Sequence, residues 1–189
     1  KIMKKTIYFF LLISLISCGK ITPKGKIEST DHKVEDFVNI DLDGKFRAFF
    51  IKSDSSYINI ETYKNIGQNV KFQVKDKTLT ITEKRETSGV DFYNITIYSR
   101  YNLEKVALAD SVEMNTSSEI KTDNFKINLK KNAKFIGSLN SRTAEVEMTQ
   151  KSRANFTGQT KNATIKITDT ASLIAPYWKI ENLKINSTK

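Results

Sequence analysis

The feature that most constrains this chain is a repeat in its C-terminal half. Five short runs alternate apolar with polar residues. Their apolar positions are Val106 and Leu108; Phe125, Ile127 and Leu129; Ala144, Val146 and Met148; Ala163, Ile165 and Ile167; and Leu183 and Ile185. The first residues of these runs lie 19, 19, 19 and 20 positions apart. Alternation of period two gives a strand with one buried face. A short strand recurring at a fixed interval cannot bury that face alone, so the expected fold coils one unit per turn and stacks like on like.

Other positions support stacked turns. An apolar residue recurs fourteen positions after each anchor at Ile120, Leu139 and Tyr177, with Gly158 as the odd member. Between them fall Val112 and Met114, Ala133 and Phe135, Ala154 and Phe156, and Ala171 with Leu173. Antiparallel hairpins would call for Asn-Gly or Asp-Gly turns between the runs, and Asp43-Gly44, well before the repeat, is the sole example in the chain. Stacking in register also sets Lys126 beside Glu145 and Glu147 beside Lys166, each pair contributing roughly 0.2–1 kcal/mol. Asn124, Asn162 and Asn182 precede three of the strands and read as left-handed corners. The expected fold class is therefore all-β, a single-domain β-solenoid of 19–20-residue rungs with few or no helices beyond the N-terminal segment.

Residues 34–100 carry the same alternation at Phe37 to Leu42, Tyr57 to Ile60, Val70 to Val74, Leu79 to Ile81 and Ile95 to Ile97. Spacings near 10 or 20 residues suit either rungs or hairpins. Asp43-Gly44 would close a hairpin onto Phe46 to Ile51, and the polar run from Glu83 to Gly89 reads as an exposed loop.

Composition removes many chemistries. Cys and His occur once each, as Cys18 and His32. No intrachain disulfide, Cys–His nucleophile, histidine-based triad or Cys/His zinc site can be assembled from these. No metal or cofactor is expected. The N-terminus instead supplies an address. Lys4 and Lys5 lead into an apolar stretch from Ile7 to Ile16, too short to span a bilayer as a helix. Leu15-Ile16-Ser17-Cys18 follows and resembles a bacterial lipobox, which implies cleavage before Cys18 and acylation of that residue. The expected organisation is a lipoprotein signal peptide at 1–17, a flexible tether at 18–33 containing a bystander His32, and one β domain at 34–189. Several acyl chains suffice for stable membrane anchoring. Losing residues 1–17 removes three lysines and no acid, which lowers the formal charge from +10 to +7. The lack of acidic residues just after Cys18 favours the periplasmic side of the outer membrane over the cell surface.

The order of these runs resembles the auto-transporter adhesin, head GIN domain family found in Bacteroidetes lipoproteins. The resemblance rests on the lipobox, Phe37 to Leu42, Tyr57 to Glu61, Val70 to Ile81, Ile95 to Ile97 and Leu103 to Leu108. It implies a right-handed, β-helix-like fold and an adhesive role. Ser99 stands where the family usually has proline, the family's Gly-Ser-Gly turns are nearly absent, and the turn at Asp76-Lys77 lacks its glycine.

Polysaccharide-degrading enzymes also use β-solenoids, but their sites need clustered carboxylates. Asp110, Asp123, Glu145, Glu147 and Asp169 do not fall in one column of the repeat, so a non-enzymatic protein is expected. Asp110-Ser111-Val112 and Asp169-Thr170-Ala171 resemble O-glycosylation sites, with Ser111 and Thr170 as acceptors. Stacking places Lys134 beside Arg153, with Lys131 and Lys151 close by, a basic patch suited to an anionic polymer such as acidic polysaccharide. The alternative is a solvated face that discourages edge pairing. Nucleic acid would not meet an envelope protein. The expected function is a cell-envelope lipoprotein that presents a β surface for adhesion, glycan binding or scaffolding, with an envelope protein or end-to-end self-association as further contacts. The alternative function is a periplasmic envelope-stress or assembly accessory.

Overall fold

A computed structural model describes residues 19–188. The signal-peptide and Cys18 expectations lie outside the described residues. Thirteen strands form a single sheet: β1 (Ile27–Lys33), β2 (Asn39–Gly44), β3 (Arg47–Lys52), β4 (Tyr57–Tyr63), β5 (Val70–Lys75), β6 (Thr78–Glu83), β7 (Tyr93–Ser99), β8 (Lys105–Asp110), β9 (Glu113–Thr116), β10 (Ile120–Leu129), β11 (Lys134–Met148), β12 (Arg153–Thr168) and β13 (Ser172–Thr188). One helical turn, α1 (Lys64–Gly67), interrupts them. The sheet curls on itself as a half-barrel.

The C-terminal half stacks in parallel as its repeat requires. Phe125 pairs with Ala144, Ala144 with Ala163 and Ala163 with Leu183, so each strand lies one repeat interval from its neighbour. Each turn sends one segment along each of two rows. The first row runs β6, β2, β8 and then residues 124–129, 143–148, 162–168 and 182–188. The second runs β7, β3, β9 and then the leading halves of β11, β12 and β13. Inward residues of both rows meet in one core, with Phe37, Phe50, Ile127, Phe135, Val146 and Phe156 all fully or almost fully buried. Each such side chain contributes roughly 1.5–3 kcal/mol of transfer free energy. Lys126 and Glu145 pair at 3.0 Å and Lys166 and Glu147 at 3.1 Å, as the stacked register anticipates.

Several local expectations need correction. Parallel stacking does not extend through the whole domain, because β1–β4, β4–β7 and β5–β6 are antiparallel. The first step of the repeat is longer than those that follow, so Val106 neighbours Ile127 rather than Phe125. Asp43-Gly44 makes a rung corner instead of a hairpin: β2 pairs with β6 and β8, while β3 pairs with β7 and β9. The hairpin falls at Asp76 and Lys77, both left-handed at φ 49° and 57°.

The asparagines are not the left-handed corners. That geometry belongs to Asp110, Lys131, Gln150 and Asp169 at the opposite corner. Asn124 instead accepts from Thr143 Oγ1 at 2.8 Å, and Asn182 donates to Asn162 at 3.0 Å, forming a polar ladder at the second corner. Trp178 rather than Tyr177 continues the column of Leu139 and Gly158, because the pairing of β12 with β13 shifts between Asn155 and Thr157. Pro176, which has no N–H to offer the ladder, sits in this bulge. The Trp178 ring stacks on Phe156 at 4.7 Å and its Nε1 donates to Thr160 Oγ1 at 3.0 Å, so it fills the last turn of the core.

The presumed tether is folded on the domain from Ile21 onward. Ile21 bridges Thr87, and residues 27–33 form β1 against β4. His32 therefore lies on a strand, its ring 5.0 Å from Phe72. The presumed loop at 83–89 is likewise pinned, with Thr87 only 1% exposed.

Candidate functional site: a basic corner of the coil

The left-handed corners bring the sequence-predicted cations together. Lys131 and Gln150 occupy one column between Asp110 and Asp169. The corner is tied across turns: Lys131 N–H donates to Gln150 Oε1 at 2.7 Å, and Gln150 N–H to Asp169 Oδ2 at 3.0 Å. Lys151 follows immediately. Three residues after each left-handed position, Glu113, Lys134, Arg153 and Ser172 stack in the adjacent column. Lys131, Lys134, Lys151 and Arg153 are all exposed. Lys134 pairs with Glu113 at 3.2 Å. Among the described residues the other three have no carboxylate partner. The corner thus clusters four exposed cations on two neighbouring turns, three of them without a carboxylate partner among the described residues.

Ser111 and Thr170 also sit at this corner, each exposed and one residue beyond a left-handed aspartate. Thr170 donates its hydroxyl to the Gln150 carbonyl at 3.0 Å. Of the five acids named from the sequence, Asp110 and Asp169 share the left-handed column. They stand three strand spacings apart, about 14 Å. That exceeds the ~5–9.5 Å of paired glycosidase carboxylates. Among the described residues no group of three or more His, Cys, Asp or Glu side chains is arranged to hold a metal.

Two other polar arrangements were not foreseen. Glu83 is half-buried beside Lys45, Thr87 and Tyr93, and burial raises its carboxyl above the ordinary range while Thr87 and Lys45 oppose the shift. Burial also holds the Tyr93 phenol well above its usual value. A cleft of about 660 Å³ lies between Asp36, Ser56, Tyr57 and Arg100. In it Ser56 Oγ donates to Asp36 at 2.6 Å, and Tyr57 lies flat against Tyr98 at 4.2 Å. The cleft joins residues distant in sequence, with no local pattern to signal it.

The described residues thus form a single all-β domain with parallel turns stacked in its C-terminal half and an exposed cationic corner. The chain belongs to the family described as "Putative auto-transporter adhesin, head GIN domain", whose sequence model matches residues 36–188. A crystal structure described as a "putative adhesin" from Parabacteroides distasonis superposes with a TM-score of 0.72 at 18% identity, covering 89% of this chain and 81% of its own. A second "putative adhesin", from Parabacteroides merdae, gives 0.70 at 18% identity over 89% and 80%. A "putative lipid binding protein" from Parabacteroides distasonis gives 0.72 at 15% identity over 89% and 81%. No curated protein matches. At these identities the structural likeness establishes the fold.

Proposed function

We propose that this protein is a non-enzymatic cell-envelope lipoprotein, anchored through acylated Cys18, whose coil presents a basic corner for adhesion to anionic polymer. In this reading the C-terminal turns form a right-handed solenoid, the hand that β-strand twist favours for parallel crossovers. The observation that carries the binding role is the row of Lys131, Lys151 and Arg153 without carboxylate partners among the described residues, beside Lys134. Cations clustered on two adjacent turns suit an anionic polymer such as an acidic polysaccharide. The open edge of β13, with Ile174, Tyr177, Leu183 and Ile185 exposed, serves a protein contact in the same reading.

The test is retention on an immobilised acidic glycan. The variant Lys131→Gln, Lys134→Gln, Lys151→Gln, Arg153→Gln is expected to lose retention with an unchanged circular dichroism spectrum, and the parent to elute as salt rises toward ~0.5 M. Equal retention of parent and variant would reduce the corner to a solvated face. Labelled palmitate is expected to enter the parent and not Cys18→Ala.

A further inference from the structure

We infer that the N-terminal end of the domain is a membrane-docking face, seated on the anionic phospholipid headgroups of the bilayer that holds Cys18. The inference rests on the lipoprotein reading and adds where the domain sits.

The first observation is the shortness of the link. Ile21 N–H donates to the Glu86 carbonyl and Ser88 N–H to the Ile21 carbonyl, both at 2.9 Å. Lys24 N–H donates to Asn65 Oδ1 at 2.8 Å, Asn65 returns a bond to the Thr22 carbonyl at 2.9 Å, and Lys64 N–H reaches the Lys26 carbonyl at 3.0 Å. Residues 21–26 are therefore part of the domain surface. Only Gly19 and Lys20 lie between Cys18 and Ile21, and the three residue steps span at most about 11 Å. The headgroup layer is itself roughly 5–8 Å deep. An acylated Cys18 leaves no length for the domain to stand away from the bilayer.

The second observation is the charge of the surface so presented. Segment 19–28, α1 with Gln68, and the loop after β6 form one continuous face. It carries Lys20, Lys24, Lys26, Lys64, Lys84 and Arg85, all exposed. Its exposed acids are Glu28 and Glu86, paired with Lys64 at 3.7 Å and Lys20 at 3.0 Å. Lys24, Lys26, Lys84 and Arg85 have no carboxylate partner among the described residues. Lys84 Nζ donates to the Gln68 carbonyl at 2.8 Å and the Arg85 guanidinium to the Gly19 carbonyl, so both cations are held beside the exit of the link. Ile27, 45% exposed, adds an apolar residue at the same end. A basic cluster around an acyl anchor is the second signal that complements lipid insertion. Each cation is worth about a fivefold gain in partitioning onto an anionic surface.

The experiment uses the acylated full chain, with acylation confirmed by mass. A fluorophore is placed at Gln68→Cys on this face or at Thr164→Cys on the distal coil. The protein is reconstituted into vesicles of phosphatidylcholine alone or of phosphatidylcholine mixed with phosphatidylglycerol. Headgroup-quencher contact is expected at position 68 and not at 164, stronger by about tenfold with phosphatidylglycerol. The gain with phosphatidylglycerol is expected to vanish in Lys24→Gln, Lys26→Gln, Lys84→Gln, Arg85→Gln, which keeps its acyl mass and circular dichroism and falls back to the phosphatidylcholine level. An acylated protein with equal quenching at 68 and 164 overturns the face and leaves the anchor standing. If mass shows no acylation, the lipoprotein reading fails instead. Salt-sensitive cosedimentation of the unacylated chain with phosphatidylglycerol vesicles, weakened about 600-fold in the quadruple variant, then supports the face, and its absence overturns it.

Discussion

Adding a single methyl group at Gly158 is expected to be among the most damaging substitutions in the chain. Gly158 has φ +102°, and a Cβ built there lies 2.2 Å from the Leu139 carbonyl oxygen and 3.0 Å from the Leu139 nitrogen. Both obstacles are backbone of the neighbouring turn, paired in register with Gly158, and cannot rotate away. Relief requires β11 and β12 to separate by about 1 Å, which disrupts one or two ladder bonds at roughly 1 kcal/mol each. The left-handed backbone adds about 1–2 kcal/mol for any residue with a Cβ. Loosened contact between Phe156 and Trp178 adds roughly 1 kcal/mol more. The sum is about 3–5 kcal/mol, a large share of a typical domain's 5–15. Gly89 supplies the control, since its φ is +65° and nothing lies within 4 Å of the added Cβ. Gly89→Ala therefore bears only the backbone cost, about 1 kcal/mol. Urea unfolding followed by circular dichroism measures both, and fluorescence of Trp178, the only tryptophan, reports the last turn separately. Loss in Gly158→Ala no greater than in Gly89→Ala would refute close stacking of the two turns.

Two further outcomes follow from the N-terminal half. Lys77→Gly is expected to stabilise the domain by about 0.5–1 kcal/mol in the same urea assay, because the hairpin holds Lys77 left-handed at φ 57°, where glycine bears no Cβ penalty. Glu83→Gln is expected to flatten the pH dependence of stability. With burial raising its folded value above the ordinary 4.5, Glu83 holds its proton in the folded state at pH values where the unfolded chain has released it. Its contribution is present at low pH and is lost as pH rises through the folded value, so unfolding curves at pH 4.5 and 7 should converge in the variant.

The C-terminal coil was largely legible because each turn repeats the demands of its neighbour. Val146 must lie between Ile127 and Ile165, and Lys126 beside Glu145, once one interval is known. The bulge at Pro176 defeated that arithmetic: one extra residue in β13 moved Trp178 into the column where fourteen-residue counting put Tyr177. The first step failed similarly, since two additional residues before Phe125 leave the inward phase unchanged and so leave no trace in the alternation. The N-terminal half was less legible for a different reason. β2 pairs with β8 and with β6, both remote along the chain, and such pairings are chosen by tertiary packing that local pattern does not encode. Residues 19–33 read as tether because they are polar, yet β1 is held by the backbone ladder with β4 and by Asn59, which donates to Ser29 Oγ at 2.8 Å and Asp31 Oδ1 at 2.7 Å. Lys134 and Arg153 do pair in register, as the interval requires. The turn before them was not legible, since its left-handed residues are Lys131 and Gln150, types that rarely announce such a backbone.

The common interval of the last turns also governs how this chain can change over generations. An excision of nineteen codons within β11 and β12 would join Lys134 directly to Ala154, reproducing the Arg153–Ala154 junction and leaving every column continuous. A loss of one codon would turn each later side chain to the wrong face of the sheet. Viable length variants should therefore be quantised, each whole turn shortening or extending the molecule by about 4.8 Å. Reach becomes a heritable property that can drift in even steps while the inward columns of the core stay continuous and the surface pairs are redrawn.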